Sequence, residues 1–537
     1  MSQASYAHGA SATPLLRETI GGCLARVAEN HPEREAVVSC EQRLRLTYAQ
    51  LDATVDALAA GLLAHGIQRG DRVGVWAPNC VEWMLVQYAT AKVGAILVNV
   101  NPAYRTHELG YVLEQSGLRL LFSAPAFKTS DYRAMAAEVD APAVFFGDPA
   151  WAELAATPVD AAVLAERLDG LDPDDPINIQ YTSGTTGSPK GATLSHHNIL
   201  NNGFFVGELV SYTEHDRICV PVPFYHCFGM VMGHLAALSH AACVVIPAGG
   251  FDPAATLRAV AAERCTSLYG VPTMFIAMLG DASFAEHDLT SLRTGIMAGS
   301  PCPTEVMKRV VDEMHMREVS IAYGMTETSP VSTQTRKDDP LERRVGSIGR
   351  VGPHLEVQVI DPLTGLAVPR GRTGELCTRG YSVMRGYWGE PEKTTEAKDA
   401  AGWMHTGDLA TMDDDGYLDI VGRSKDMVIR GGENVYPREV EEFLSLHPDV
   451  ADAQVVGVPD ERYGEELCAW LQLRPGAAEL DAAAVKAFCA GRLAHYKVPR
   501  YVLCVAEFPL TVTGKVRKNV MRDESVTRLS LGSTGPC

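Results

Sequence analysis

The stretch Tyr181-Thr182-Ser183-Gly184-Thr185-Thr186-Gly187-Ser188-Pro189-Lys190-Gly191 decides how the rest of the chain is read. An apolar-leaning run, Ile177 to Tyr181, enters it and Ala192-Thr193-Leu194 leaves it, so it is a loop carried between two short strands. Gly184 and Gly187 open backbone conformations closed to residues with a Cβ, which lets peptide N–H groups turn towards one point. Thr182, Ser183, Thr185, Thr186 and Ser188 add hydroxyl donors, and Lys190 adds a positive charge. Converging donors with one cation describe a polyphosphate cradle. A Walker loop would need Gly-Lys-Ser/Thr in succession, whereas Ser188 and Pro189 separate Gly187 from Lys190 here; G-x-G-x-x-G is absent too.

Upstream of the loop, helix and strand alternate. Thr47 reads as the N-cap of a helix with Leu51, Val55, Leu58, Leu62 and Leu63 at helical spacing, ended by Gly66. Arg72–Trp76 and Ala95–Val100 read as strands on either side of a helix over Val81–Lys92. This is the α/β pattern of a largely parallel sheet. Downstream, Ser195 caps a helix running through Phe204 and Phe205. VPVPFYHCFG (Val220–Gly229) bends a strand end into a pocket around His226, followed by a helix with Met230, Met232 and Leu235. Thr294–Ala298 is a strand ending in Gly299-Ser300-Pro301, and open α/β sheets hold ligands at such ends. Leu355–Ile360 and GELCTRGYSVMRGYW (Gly374–Trp388) suggest a smaller, mostly antiparallel β subdomain. The strands Val450–Val458 and Glu466–Leu473, with helices from Pro437 and over Ala482–Leu493, make a final α+β unit. The expected fold is therefore α/β, with a large N-terminal domain over 1–424 and a small C-terminal domain over 425–537.

At 537 residues the chain exceeds a single core. Its formal net charge of −19 argues against a nucleic-acid-binding surface. The thirteen cysteines form no C-x-x-C pair and no zinc-ligand spacing, which fits free thiols in a reducing cytoplasm. The first twenty residues lack the basic start and apolar core of a secretory signal, and no run reaches membrane-spanning length.

A polyphosphate cradle needs a cation held by oxygen ligands. In Tyr323-Gly324-Met325-Thr326-Glu327, Glu327 supplies a carboxylate, Thr326 a hydroxyl for the α-phosphate, and Tyr323 a flat face for a purine. Asp408 in HTGDL is a carboxylate of the kind that accepts from both ribose hydroxyls, and Arg423 follows in GRSKD. Lys515 stands in PLTVTGKVRK, with Thr511, Thr513 and Gly514 shaping its loop.

In this order, the Tyr181–Gly191 loop, YGMTE, HTGDL, GRSKD and the Lys515 stretch resemble the motifs of the adenylate-forming superfamily. That superfamily holds acyl-CoA synthetases, adenylation domains of peptide synthetases and luciferases, and the resemblance spans Thr47 to Lys518. It implies ATP, Mg2+ and coenzyme A as the partners of a small carboxylic acid. It implies nucleotide contacts from the loop, Ser300, Tyr323, Gly324 and Thr326, a ribose-binding Asp408, and Arg423 at the matching downstream position. Lys515 would reach the acyl carboxylate and the α-phosphate, stabilising charge as pyrophosphate leaves. Gly431 and Gly432 match glycines that line a pantetheine channel, and Lys425 occupies a hinge about which the small domain rotates between two half-reactions.

Amino-acid-activating relatives carry an aspartate in the segment matching Pro223–Gly229, to pair with the substrate ammonium. This chain has His226 there and no acidic residue from Pro221 to Gly233, and a buried ammonium without a counter-ion is costly, which argues against amino-acid substrates. His226, Met230, Met297, Gly299 and Met325, with Met232, Met274 and Phe275 as further candidate wall residues, suggest a deformable apolar acyl pocket. The pattern is most like that of bacterial medium- to long-chain fatty acyl-CoA synthetases. Aryl or short branched acids, a carrier-protein thiol as acceptor, and a homodimer stay open.

Overall fold

Local sequence chemistry sets the elements. Thr47 accepts the Gln50 N–H, and Gln50 returns a bond to the Thr47 backbone, starting the helix Tyr48–Ala64 with a capping box. Its Leu51, Val55, Leu58 and Leu62 are buried, as their spacing predicts. The helix Val81–Val93 stops at Gly94, whose φ of +72° is the left-handed turn that a glycine enters without strain. Ser195 caps His196–Leu209 through a reciprocal pair with Asn198.

The computed structural model describes residues 3–182, 189–300, 302–423, 425–430, 433–460, 462–490, 492–511 and 516–531. Two units are distinguished, a larger one of Tyr6–Val357 with Cys377–His405, and a smaller one of Met1–Ser5, Gln358–Leu376 and Thr406–Cys537.

The larger unit carries two big sheets. In the first, of seven strands, Arg72–Trp76 lies parallel to Ile96–Asn99 and to Leu120–Ser123, and Ile96–Asn99 lies parallel to Pro176–Thr182. Lys190–Ser195 then returns antiparallel to Pro176–Thr182, and Gly386–Tyr387 closes that edge. In the second, of nine strands, Arg217–Cys219, Cys243–Ile246, Ser267–Gly270, Thr294–Ala298 and Glu318–Gly324 form a parallel core, and Val331–Gln334 runs antiparallel beside Glu318–Gly324.

Between the sheets, Phe228–Leu235 is a π-helix, where the sequence pattern suggests an ordinary one. Gly229 and Gly233 let its backbone lie close to the incoming segment. A Cβ on Gly229 would meet the Pro223 carbonyl at 2.4 Å, and one on Gly233 would meet Val220 at 3.0 Å. Phe228 stacks on Tyr269 of the nine-stranded sheet with ring centroids 5.5 Å apart. The Met230 sulfur accepts from Asn99 Nδ2 at 3.2 Å and Gln180 Nε2 at 3.1 Å, both on the seven-stranded sheet. The π-helix is thus pinned on two sides.

Strands Leu355–Ile360, Gly374–Gly380, Met404–Met412 and Leu418–Arg423 share one five-stranded sheet, in keeping with the β subdomain read from their alternation. In the smaller unit, Val450–Asp460 and Gly464–Leu473 form a long antiparallel pair, and Tyr501–Val505 adds to it in parallel. The period of two divides this sheet. Val455, Leu467 and Ala469 join one core with Val440 and Leu444, whereas Val456, Val458 and Trp470 join another with Met521. The helix from Ala482 ends at Cys489, four residues short of the sequence expectation, because Ala490 turns to an extended ψ of 124°. Helix Lys518–Arg528, unread in the sequence, covers the second face; Trp470 Nε1 donates to its Ser525 Oγ at 2.8 Å.

Candidate active site

Thr182 and Lys190 stand opposite each other in the Pro176–Thr182 and Lys190–Ser195 pair, so the two ends of the Tyr181–Gly191 stretch meet in a hairpin register. Ser183, Gly184, Thr185, Thr186 and Gly187 lie outside the described residues. Their flanks are anchored from a neighbouring helix. Tyr111 Oη donates to the Pro189 carbonyl at 3.1 Å, Tyr181 Oη donates to Gln115 Oε1, and Gln115 Nε2 donates to the Trp388 carbonyl at 2.6 Å.

Lys190 connects the loop to the candidate cation ligand through one aromatic ring. Its Nζ lies 4.9 Å from the centroid of Tyr387, and the Tyr387 hydroxyl donates to Glu327 Oε1 at 2.8 Å. Glu327 is buried. Its backbone carbonyl accepts the Met384 N–H at 2.9 Å, which ties the Thr326–Thr328 turn of 3-10 helix to the segment leading to Tyr387. Burial, and then the Glu327 charge, push the Tyr387 phenol up, so it stays protonated and remains a donor. Tyr387 belongs to the quoted GELCTRGYSVMRGYW stretch, yet nothing in the sequence pairs it with a glutamate sixty positions away.

Glu318–Gly324 delivers Tyr323 and Gly324 at its end, with Tyr323 half-buried and Gly324 exposed. A Cβ on Gly324 would lie 1.8 Å from the Pro330 carbonyl oxygen, so the turn back into Val331–Gln334 has room for glycine alone. Thr326 is buried beside Glu327. Gly299, with φ +89°, ends the adjacent Thr294–Ala298 strand, and Ser300 follows it half-buried. Met297 is fully buried on that strand, and Met325 is partly buried next to Thr326.

His226 is half-buried where the π-helix begins. Its Nδ1 accepts the Phe228 N–H at 3.2 Å, which puts the proton of the neutral ring on Nε2. The next residue, Cys227, is buried with its thiol donating to Gln180 Oε1 at 3.1 Å. Burial pushes that thiol far up, with the Glu327 charge adding to it, so Cys227 is no thiolate. Met230 is buried with its sulfur on the Asn99 and Gln180 amides. The amide pair Asn99 and Gln180 was not legible as part of this neighbourhood, since single amides on strands carry no motif.

The donor set suits Mg2+. That ion takes one or two carboxylates, keeps several waters and completes its shell with phosphate oxygens. Glu327 offers one carboxylate whose Oε1 is engaged by Tyr387, and among the described residues its Oε2 takes no hydrogen bond.

In the smaller unit, Asp408 and Arg423 are register partners, and Arg423 Nε donates to Asp408 Oδ1 at 3.0 Å. Lys425 is exposed in the turn that follows. Gly431, Gly432 and Lys515 lie outside the described residues.

The AMP-binding enzyme family profile matches residues 24–388, and the AMP-binding enzyme C-terminal domain matches residues 439–515. The putative acyl-CoA synthetase YngI of Bacillus subtilis (strain 168) is 46% identical over 97% of this chain and 99% of its own. The mitochondrial medium-chain acyl-CoA ligase ACSF2 of Danio rerio is 45% identical over 98% of this chain and 91% of its own. Among solved structures, ATP-bound MatB from Rhodopseudomonas palustris superposes with a TM-score of 0.85 at 32% identity, covering 94% of this chain and 99% of that one.

Proposed function

Because the chain belongs to the AMP-binding enzyme family of the adenylate-forming superfamily, as an acid–thiol ligase of the acyl-CoA synthetase kind, we propose that it activates a medium- to long-chain fatty acid. The acid's carboxylate attacks the α-phosphorus of ATP, giving an acyl-adenylate and pyrophosphate. The thiol of coenzyme A then attacks the acyl carbonyl and releases AMP.

The observation that supports this reading is the double contact of Tyr387, whose ring lies under Lys190 and whose hydroxyl donates to Glu327, so that a lysine at the end of the loop and a buried carboxylate meet one side chain. Lys190, Thr182 and the loop hydroxyls hold the phosphates, and Thr326 contacts the α-phosphate. Glu327 would hold Mg2+, which when bound offsets phosphate charge. Tyr323 takes the adenine face, with Gly299 and Ser300 beside it, and Asp408 takes the ribose hydroxyls. Lys515 supplies the charge that stabilises the leaving pyrophosphate, and no protein nucleophile is needed. In this reading the C-terminal domain begins at Lys425, the hinge, and brings Gly431 and Gly432 to the thiol in the second step.

The acid class rests on three supports. No acidic residue from Pro221 to Gly233 could pair with a substrate ammonium. Met297 and Met325, adaptable and apolar, adjoin the nucleotide residues. Relatives over nearly the whole chain bear the name medium-chain acyl-CoA ligase. The test is pyrophosphate and AMP release with a panel of straight-chain, aryl and short branched acids, with coenzyme A present and absent. Turnover of straight-chain acids with free coenzyme A is expected. Turnover of aryl acids alone would replace the fatty acid, and AMP release that ignores free coenzyme A would point to a carrier-protein thiol.

A further inference from the structure

Resting on the reading of Glu327 as the cation ligand, we propose that Tyr387 is a positioning residue for Mg·ATP. Its hydroxyl holds one oxygen of the Glu327 carboxylate and so turns the other towards the cation, while its ring steadies Lys190. Three observations carry this. First, the Tyr387 ring is placed without help from its hydroxyl. Its backbone pairs with Ala192 on the strand that starts at Lys190, and its N–H donates to Thr394 Oγ1 at 2.9 Å. The preceding Gly386 has φ +157°, and a Cβ there would meet Thr394 Cγ2 at 2.9 Å, so the strand end is packed tightly. Second, the hydroxyl points at a buried carboxylate and donates to Oε1 at 2.8 Å, leaving Oε2 without a hydrogen bond among the described residues. A carboxylate free to rotate presents either oxygen or both. One fixed donor leaves a single ligand atom, as an octahedral ion that keeps most of its waters requires. Third, the ring of the same tyrosine lies under Lys190, whose Nζ is 4.9 Å from the centroid, so the end of the loop and the carboxylate meet one side chain.

Tyr387→Phe keeps the ring and removes only the donor. The test measures ATP binding calorimetrically across a Mg2+ titration, without acid or coenzyme A, for native protein, Tyr387→Phe, Glu327→Gln and the double variant. Pyrophosphate release is followed over the same titration. Tyr387→Phe is expected to raise the half-saturating Mg2+ concentration three- to tenfold in both measurements, with kcat recovering at saturating Mg2+. In the Glu327→Gln background the same change should add nothing. If Glu327→Gln shifts the Mg2+ dependence and Tyr387→Phe does not, the positioning role falls and the carboxylate's role stands. If Glu327→Gln itself leaves the Mg2+ dependence unmoved, the cation-ligand reading fails and takes the proposal with it. A Tyr387→Phe protein that melts earlier and loses kcat at every Mg2+ concentration, with native half-saturation, would make Tyr387 a packing residue only.

Discussion

Asp408 and Arg423 face each other across the antiparallel strands Met404–Met412 and Leu418–Arg423, with Arg423 Nε donating to Asp408 Oδ1 at 3.0 Å. Asp408 is mostly buried while Arg423 is largely exposed, so the pair orients the carboxylate more than it stabilises the fold. Asp408→Ala should raise the Kd for ATP about ten- to a hundredfold, the worth of hydrogen bonds to a charged group. Its melting temperature should stay near native. Isothermal titration with ATP and a thermal melt check both halves; native ATP affinity in the variant would remove Asp408 from the ribose site.

Lys515→Ala should slow acyl-adenylate formation by a factor of about a hundred or more, corresponding to about 3 kcal/mol of lost charge stabilisation. Given synthetic acyl-adenylate and coenzyme A, the same protein should form thioester at close to the native rate. Lys190 does not substitute, because it is held on the strand register opposite Thr182. Two rates on one preparation decide the matter, and an equal fall in both rules out a role confined to the first step.

Gly324→Ala should destabilise the larger unit. The added methyl would sit 1.8 Å from the Pro330 carbonyl oxygen, a backbone atom that no rotamer change moves away. Opening that turn also displaces Thr326 and Glu327, two and three residues on. A loss of a few kcal/mol is expected, about the scale of other overpacked or strained sites. Chemical denaturation, together with Mg2+-dependent ATP binding, measures it; native values for both would mean the turn relaxes freely.

Acid should weaken the larger unit through two histidines. His196 and His234 are fully buried, and burial pushes each down to about 3. Above an unfolded value of about 6.5 neither state binds the proton, so stability there is unaffected by them. As pH falls from about 6.5 towards 3, the unfolded chain takes up two protons that the folded chain refuses. Stability is then lost at up to about 1.4 kcal/mol per pH unit for each histidine. His234→Asn, which preserves a donor for the Gln87 Oε1 that His234 Nδ1 meets at 2.7 Å, should halve this slope. Urea midpoints at a series of pH values report it, and an unchanged slope would show that His234 does not govern acid sensitivity.

The sequence by itself determined the order of motifs, the α/β alternation and the caps at Thr47 and Ser195. All of these depend on neighbours a few positions apart: a side chain capping its own helix, apolar spacing, a glycine allowing a turn. The hairpin Pro176–Thr182 with Lys190–Ser195 was legible for the same reason, since its strands are joined by a short stretch of chain. Only the tertiary structure decided what lies beyond that range. Tyr387 meets Glu327 because the edge strand Gly386–Tyr387 pairs with the strand after the loop, and residues fifty apart bring Gln180 to Met230. The π-helix at Phe228–Leu235 arises where two glycines admit close backbone approach and two sheets grip opposite sides. Such contacts are set by packing between elements distant in the chain, and no local pattern of residue types encodes which partners meet.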